Sequence, residues 1–379
     1  LQEREDPIFA KGKGKLRTFW LAAGKKRNGR RSEDLGEMKS QSLHGSDNDP
    51  TETLDIMYEK VALKAAKKIA KKELKANNSK EVPLHVPASA LETPQGKKSR
   101  LIEHNTDILL RYLAAVITNR HSGTGGSRAI KAVDHSQESK EIPPPIDSVA
   151  DVIIFPNFDP YRRRQKANLA ELTVIRPILF DYVTEVAGMY KDVPFHNFEH
   201  ASHVTLAADR LMSRMVSMDG LDEDEMYNAT YGISADPLTN FAVMFGALIH
   251  DLGHKGIANS QLVVEEDNLA IKFKGRSVAE QNSVNEGWQL LMDERYEQLR
   301  SHIYKTNVER KRFRQVLTNA VMATDIADRE VNQFRSKKWD KAFKETDERG
   351  TFDTMTHDEI NRKATVVIEN LIQVADVSH

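Results

Sequence analysis

Two short histidine clusters constrain this chain more than any other feature of its sequence. His196 and His200 stand four residues apart, as do His250 and His254, and Asp251 directly follows His250. A spacing of four places two side chains on one face of a helix, so we expect each pair to share a helical face. Imidazole nitrogens and carboxylate oxygens are common ligands of zinc and similar divalent ions. The pattern therefore predicts a metal site built on helices.

A third element, Asp376, lies near the end of the chain. It follows a stretch whose apolar residues have helical spacing: Ala364, Val367, Ile368, Leu371, Ile372 and Ala375. An isolated pair of histidines four apart is more often structural than metal-binding, but three such elements in a fixed order favour a metal. In an adjacent His-Asp pair, the histidine can bind one ion while the aspartate bridges to a second. Two ions held in this way can clamp a phosphate group and generate a hydroxide between them.

The ordered elements HNxxH from His196, HDxxHxGxxN from His250 and the helix ending in Ala375-Asp376 resemble the class I cyclic nucleotide phosphodiesterases. This family is a branch of the HD-type metal hydrolases, and the resemblance runs from about Ile146 to the last residue. It implies an all-α catalytic domain with two divalent metals, zinc and magnesium or manganese. The implied reaction is hydrolysis of a 3′,5′-cyclic nucleotide, cAMP or cGMP, to the 5′-monophosphate.

The resemblance also implies a role for individual residues. It makes His196 the general acid that protonates the leaving 3′ oxygen, and it places Phe195 and His196 against the substrate. Asp251 would touch both metals. The implied metal ligands are His200, His250, Asp251 and Asp376. The residues implied to lie behind them are His254, Glu280, Thr324 and Asp325, and the last two would lie near the water molecules of the second metal.

The chain departs from the family pattern at three places. Phe195 stands where the family usually has tyrosine, and Gly253 stands where it usually has a second aspartate. The family pattern also continues well past the last metal aspartate, with a glutamine and an aromatic clamp that hold the base. We therefore expect an incomplete catalytic domain that hydrolyses cyclic nucleotides poorly or not at all, and we expect Leu371 and Ile372 to be partly exposed.

The start of the chain carries a second, shorter resemblance. Residues Lys11 to Leu21 read KGKGKLRTFWL and resemble the closing strand of class III nucleotide cyclases. Glycines there would let the backbone bend close to a triphosphate and lysines would neutralise it, although a basic flexible tail is the alternative. The predicted division is a cyclase remnant at 1–21, a polar linker at 22–145 and the phosphodiesterase domain at 146–379. It implies a parent protein in which a cyclase is tethered to the phosphodiesterase.

Composition narrows the classes of partner. The net charge of −1 argues against a nucleic-acid-binding surface, and the lack of cysteine excludes disulfides and thiolate metal sites. The sequence has no apolar run of about eighteen residues, the minimum for a transmembrane helix. We expect a cyclic nucleotide as the small-molecule partner and the cytoplasm as the location, with membrane anchoring of the longer parent left open.

Several local patterns complete the prediction. Helices are expected near 55–76 and 101–120, and the second should pack on the catalytic helices or on a second copy of the chain in a homodimer. Residues 241–249 predict a buried helix that delivers His250, and 219–238 predict a surface loop. Gly256 should allow the turn after His254, with Asn259 capping or pinning it.

Two other functions stay open at this stage. One is a different HD-type phosphohydrolase, and the other is a module that binds a metal or a partner without catalysis. The sequence also leaves the choice between cAMP and cGMP open.

Overall fold

The computed structural model describes residues 2–3, 8–10, 14–16, 19–20, 93–121, 133, 143–156, 169–217, 220–344 and 355–378. The helix predicted near 55–76 lies outside these residues. Contacts divide the chain into two compact units, Leu1–Val86 and Pro87–His379. Within the described part of the chain, we find no helix with the length and apolar character needed to cross a membrane.

The described residues of the first unit are short strands. They are β1 (Gln2–Glu3), β2 (Ile8–Ala10), β3 (Gly14–Leu16) and β4 (Phe19–Trp20). Strand β1 pairs with β4 and β2 pairs with β3, both antiparallel. The segment that resembles a cyclase strand therefore includes β3 and β4, and that resemblance remains a prediction.

The described residues of the second unit form helices, which confirms the predicted all-α fold class for this unit. The α-helices are α1 (Pro94–His121), α2 (Leu169–Met189), α3 (Phe198–Val216), α4 (Glu223–Ala229), α5 (Pro237–Ile249), α6 (Asn259–Val264), α7 (Asn268–Lys272), α8 (Val278–Leu291), α9 (Glu297–Ile303), α10 (Asn307–Met322), α11 (Arg329–Trp339) and α12 (His357–Val377). Short 3₁₀ turns at Pro145–Ser148, Ile233–Ala235 and Glu294–Tyr296 and a π turn at Asp340–Lys344 join them.

Helix α5 forms the centre of the core. It starts at Pro237, a residue suited to the first helical turn, and every residue from Leu238 to Ile249 is buried. It packs against α1, α3 and α10. A helix that is apolar on all sides must be surrounded by other helices, which confirms the buried helix predicted for 241–249.

Helix α1 covers the amphipathic stretch predicted as a helix at 101–120. It packs on α2, α3 and α5, and Leu109 and Leu113 are fully buried in the common core. The sequence suggested that this helix packs either on the catalytic helices or on a second copy of the chain, and the structure shows the first of these contacts. Helix α1 therefore belongs to the compact unit that starts at Pro87, although the sequence placed it in the linker 22–145.

The prediction of a surface loop at 219–238 is wrong. It contains α4, the turn Ile233–Ala235 and the start of α5. The side chain of Asp222 accepts a hydrogen bond from the backbone of Glu225, whose own side chain accepts one from the backbone of Asp222. This reciprocal capping box starts a helix despite the acidic composition that suggested a loop.

The expected exposure of the last helix is also wrong. Leu371 is only 8% exposed and Ile372 is fully buried. Helix α12 packs against α3, α5 and α10, and these helices cover its apolar face.

Candidate metal centre

The start of α3 explains the HNxxH element. Asn197 is the N-cap of the helix, and its side-chain oxygen accepts hydrogen bonds from the backbone nitrogens of Glu199 and His200. His200 therefore lies in the first turn, where the cap fixes the backbone. His196 precedes the cap and is outside the helix, so the expected shared helical face of His196 and His200 is wrong.

The second histidine pair is arranged in a similar way. His250 is the C-cap of α5, and Asp251 to Gly253 form the turn that follows. His254 comes after this turn, so His250 and His254 do not share a helical face either. Gly253 and Gly256 have φ angles of 72° and 78°, which confirms that Gly256 makes a turn after His254.

The four residues implied as ligands converge on one point. The Nε2 atom of His200 lies 3.1 Å from Oδ1 of Asp376 and 3.6 Å from Oδ2 of Asp251. The Nε2 atom of His250 lies 3.2 Å from Oδ2 of Asp251 and 3.7 Å from Oδ1 of Asp376. All four residues are less than 9% exposed. Three separate chain segments thus bring two nitrogens and two carboxylate oxygens into a single buried cluster.

The spacing within this cluster fits a zinc-sized ion. Tetrahedral zinc sites have metal–ligand distances of about 2.0–2.1 Å, which places neighbouring ligand atoms about 3.3–3.4 Å apart. The four measured separations, 3.1, 3.2, 3.6 and 3.7 Å, lie on both sides of this value. The residues present therefore fit a divalent ion.

The orientation of His250 supports the same interpretation. Its Nδ1 atom is 2.9 Å from the carbonyl oxygen of Ala247, which lets it donate a proton there and leaves Nε2 facing the cluster. Nε2 of His250 and Oδ2 of Asp251 are buried and 3.2 Å apart. A divalent ion at the centre would bind both atoms in place of the proton that they share in its absence.

The charges in the cluster shift the pKa values of its members. Burial alone would lower the pKa of His250, but the carboxylates of Asp251 and Asp376 outweigh it and raise the pKa to about 10. Burial would likewise raise the pKa of Asp251, but His250 outweighs it and lowers the value to about 2. In the metal-free protein a proton on His250 therefore occupies the place where a cation would bind.

A second group of ligand atoms adjoins the first. One nitrogen each of His196 and His254 and one oxygen of Asp251 lie within 4.8 Å of one another. The two imidazole rings stack with their centroids 3.9 Å apart. Burial lowers the pKa of His254 to about 4, and its Nδ1 atom accepts a hydrogen bond from the backbone of Gly256, so the ring is neutral at pH 7. Asp251 belongs to both groups.

Glu280, which is partly exposed, and the buried Asp325 form an acidic pair beside this centre. The side-chain nitrogen of Asn259 donates to Glu280 at 2.8 Å and to Asp325 at 3.4 Å, and its oxygen accepts a hydrogen bond from the backbone of Ala279. Burial, and then the charge of Asp325, raise the pKa of Glu280 to about 8. Glu280 is therefore protonated at neutral pH in the metal-free protein.

Asn259 is a residue whose role the sequence did not reveal. It was expected to cap or pin a turn, but the N-cap of α6 is Ala258, and the Asn259 side chain instead joins three segments around the acidic pair. An amide that both donates and accepts can do this, and only the folded chain brings its partners together.

Thr324 and Asp325 follow the end of α10 and are buried. The hydroxyl of Thr324 donates to the carbonyl of Val321. The Asp325 carboxylate accepts from the backbone nitrogens of Ala327 and Asp328, which fixes the turn after the helix. The direct contacts of this pair are therefore with the turn and with Asn259, and its predicted place near metal-bound water stays a prediction.

Phe195 lies at the surface of the centre. It is 43% exposed, and its ring centroid is 4.3 Å from that of His200. Phe195 therefore lies against His200 and is partly open to solvent, and its predicted contact with substrate stays a prediction.

The segment that carries this centre matches the model of a known family. Residues 195–379 match the profile of the family described as 3′5′-cyclic nucleotide phosphodiesterase. The match spans every residue that we assign to the centre, from Phe195 to Asp376. This part of the chain is similar to that family, in line with the resemblance of its motifs.

Individual proteins that are similar to this chain are also named as cyclic nucleotide phosphodiesterases. A probable 3′,5′-cyclic phosphodiesterase, pde-3 of Caenorhabditis elegans, is 25% identical over 254 residues, which cover 59% of this chain and 36% of the relative. Probable 3′,5′-cyclic phosphodiesterase pde-1 of the same organism is 30% identical over 143 residues, covering 38% and 19%. The human dual specificity calcium/calmodulin-dependent phosphodiesterase 1C is 29% identical over 134 residues, covering 35% and 17%. The chain thus spans little more than a third, or less, of the length of these relatives.

A solved structure is also similar. It is the phosphodiesterase domain of a RhoPDE fusion protein from the choanoflagellate Salpingoeca rosetta, with 23% identity and a TM-score of 0.40, covering 55% of this chain and 59% of that one.

Proposed function

We propose that this chain is the metal-binding part of an enzyme that hydrolyses a 3′,5′-cyclic nucleotide to the 5′-monophosphate. The convergence of His200, His250, Asp251 and Asp376 within 3.1–3.7 Å of their neighbours carries the proposal. The family match of residues 195–379 supports the same class of substrate.

These four residues would hold the first ion, and Asp251 would also face a second. Two bound divalent ions, zinc with magnesium or manganese, would neutralise the phosphate and provide a hydroxide near neutral pH. Hydrolysis of the cyclic diester joins a water oxygen to phosphorus and breaks the bond from phosphorus to the 3′ oxygen. The leaving oxygen then takes a proton, and the phosphate stays on the 5′ carbon.

His196 is placed to supply that proton. It lies beside Asp251 and outside the four-residue cluster, so it faces the same space without completing the shell of the first ion. A general acid must carry a proton when the leaving oxygen departs. Phe195, next to it in sequence and partly exposed, would contact the nucleotide.

The family match supports a phosphodiesterase reaction over the chemistry of other HD-type phosphohydrolases. The hydrolysis experiment below compares cAMP with cGMP as the substrate. A tether to a nucleotide cyclase is proposed on the pattern at Lys11 to Leu21 alone. The coding sequence upstream of Leu1 decides it, since a cyclase domain must precede this pattern in the same reading frame.

The first experiment measures metal. Purified chain is stripped with a chelator, reloaded with zinc and either magnesium or manganese, and analysed for bound metal by mass spectrometry. We expect the wild type to retain zinc and Asp251→Ala to lose it. Asp224→Ala, an exposed aspartate in α4, is the matched control and should keep the wild-type metal content.

The second experiment measures hydrolysis with three substrates: cAMP, cGMP and bis(p-nitrophenyl) phosphate. The last is a phosphodiester without a nucleobase, so it reports the metal chemistry independently of base recognition. We expect 5′-monophosphate as the nucleotide product and no turnover of any substrate by Asp251→Ala. Release of the 3′-monophosphate, or turnover that is equal with and without metal, would refute the proposal.

A further inference from the structure

Residues 143–156, which we call the strap, cross the helices that lead to the metal centre. The backbone of the strap is bound by helix side chains. The nitrogen and the oxygen of Ala150 both bond to the side chain of Asn319, at 2.9 and 2.8 Å. The backbone nitrogens of Ile153 and Phe155 donate to the side chains of Thr365 and Asn361. The strap is thus tied to α10 and α12 through its peptide groups.

A buried ion pair also contacts the backbone of Ala150. Nζ of Lys338 lies 2.5 Å from Oε1 of Glu369 and donates to the carbonyl of Ala150 at 3.0 Å. Asn319 donates to the same glutamate oxygen at 2.8 Å. The side chains of Lys338 and Glu369 are 1% and 7% exposed. We call Lys338, Glu369 and Asn319 the lock.

Two of the three lock residues, Glu369 and Asn319, lie on helices that lead to residues of the centre. Glu369 precedes Asp376 by seven residues on α12, which is two helical turns, so both side chains lie on about the same face. Asn319 is on α10, five residues before Thr324. One turn closer to the centre, the carbonyl of Ala323 accepts hydrogen bonds from Gln373 and Arg335.

Stability is a poor explanation for such a pair. Desolvation of two buried charges cancels most of their attraction, and well-packed apolar side chains in their place are often as stable or more so. A buried pair with several hydrogen bonds does, however, permit only one arrangement of the groups that it joins. This ion pair joins three helices and the strap at a single geometry.

We propose that Lys338, Glu369 and Asn319 are positioning residues that hold α12 in the register that brings Asp376 to His200 and His250. The lock acts through the helix and touches neither metal nor substrate. The proposal rests on the proposed metal site for its functional consequence, while the position of α12 itself is measurable without metal.

The test replaces the ion pair with apolar residues of similar size, Lys338→Met together with Glu369→Leu. The Ala150 carbonyl keeps its hydrogen bond from Asn319, so no partner in the lock is left without one. The matched control is Lys344→Met with Asp340→Leu, an exposed ion pair four residues apart.

The position of α12 is read by spin labels in metal-free protein. The chain contains no cysteine, so cysteines introduced at the exposed residues Arg210 on α3 and Val374 on α12 take up labels at those sites alone. We expect pulsed dipolar spectroscopy to show a broader or shifted distance distribution in the lock variant and the wild-type distribution in the control.

The functional consequence is read by zinc affinity in competition with a chelator, without spin labels. Residues that orient metal ligands contribute about 10–100-fold to metal affinity, and we expect a loss of this size in the lock variant with its melting temperature equal to or above that of the wild type. An unchanged distance distribution together with zinc affinity equal to that of the control would overturn the proposal.

Two outcomes separate this inference from the proposed function. If the wild type binds no zinc but the lock variant shifts the distances, the metal site fails and the lock stands. If the wild type binds zinc and the variant matches it in both measurements, the lock alone fails. Should the apolar pair not fold, Glu369→Gln decides by the same criteria, because the amide keeps the size and the hydrogen bonds while removing the charge.

Discussion

The contact between Gly287 and Ile249 allows a test of whether core packing determines the stability of the fold and the position of His250. Gly287 lies on α8 and faces Ile249, the last residue of α5 before His250. A methyl group added at Gly287 would stand 2.5 Å from Cδ1 of Ile249 and 3.3 Å from both its Cβ and Cγ2. The first contact could be relieved by moving a terminal carbon, but the other two involve atoms close to the backbone of a fully buried residue.

The matched substitution is at Gly188, near the end of α2. There an added methyl group meets no atom within 4 Å. Replacing glycine by alanine in a helix stabilises by up to about 1 kcal/mol through propensity, and this gain enters both variants. Overpacking of a well-packed core costs about 1–3 kcal/mol and enters Gly287→Ala alone. The difference between the two variants is therefore about 1–3 kcal/mol.

The assay is urea unfolding of both variants and the wild type, followed by circular dichroism. We expect Gly188→Ala to be as stable as the wild type or more so, and Gly287→Ala to be less stable than Gly188→Ala by the amount above. Because the strain falls on the residue before His250, we also expect weaker zinc binding in Gly287→Ala only. Equal stability of the two variants would show that this contact relaxes freely and would refute the argument.

Three further predictions concern the centre itself. His196→Gln should lower turnover by about 10²–10⁴-fold, the usual contribution of a general acid, with zinc content unchanged. The control is His104→Gln, which replaces an exposed histidine on α1. Loss of zinc in His196→Gln would instead make His196 a metal ligand. The pKa of the Glu280 carboxyl is raised from 4.5 to about 8 in the folded protein. Between these pH values, the folded metal-free protein therefore holds a proton that the unfolded chain has lost. Its stability should therefore fall as pH rises from about 4.5 to 8. In Glu280→Gln this part of the fall should vanish when urea midpoints are compared at pH 5, 6.5 and 8, and an identical slope in both proteins would contradict it. Since the pKa of His250 is about 10 without metal and a ligand must be neutral, zinc binding at pH 7.5 should release about one proton from this residue. Calorimetry in buffers of different ionisation enthalpy measures this release, and an enthalpy that is the same in all buffers would rule it out.

The residues of the centre were predictable because their chemistry is concentrated in the sequence. Imidazoles and carboxylates at short fixed spacing point to a metal even before any fold is known, and the structure brings His200, His250, Asp251 and Asp376 together. The buried helix α5 was predictable for a related reason, since its run of apolar residues leaves few alternatives.

The local geometry of the histidine pairs was not predictable from spacing. A separation of four residues suits a helix, but it suits a cap followed by a helix, or a helix followed by a turn, equally well. Asn197 decides the first case, because its side chain caps α3 and leaves His196 outside. Gly253 contributes to the second, because its φ of 72° is a turn conformation and the helix has already ended at Ile249.

The lock was beyond the reach of sequence for a different reason. Lys338 follows Arg335 and Lys337 in a run that looks like a solvated basic face, and Glu369 sits among apolar residues with no partner nearby in the chain. Their pairing spans 31 residues and depends on α11 lying against α12. Which lysine in such a run is buried is a property of tertiary packing, and a pattern of residue types does not encode it.

The placement of the centre at the ends of helices has a physical consequence. His200 is in the first turn of α3, His250 is at the end of α5, and Asp376 is in the last turn of α12. A ligand at a helix end moves with the whole helix, so its position is fixed by the packing along the length of that helix. Contacts far from the metal, such as Gly287 against Ile249 or the lock on α12, can then shift a ligand by a few tenths of an ångström. Metal–ligand bonds tolerate errors of only about 0.2 Å, so the affinity for the ion becomes a sensitive measure of packing throughout the helical unit.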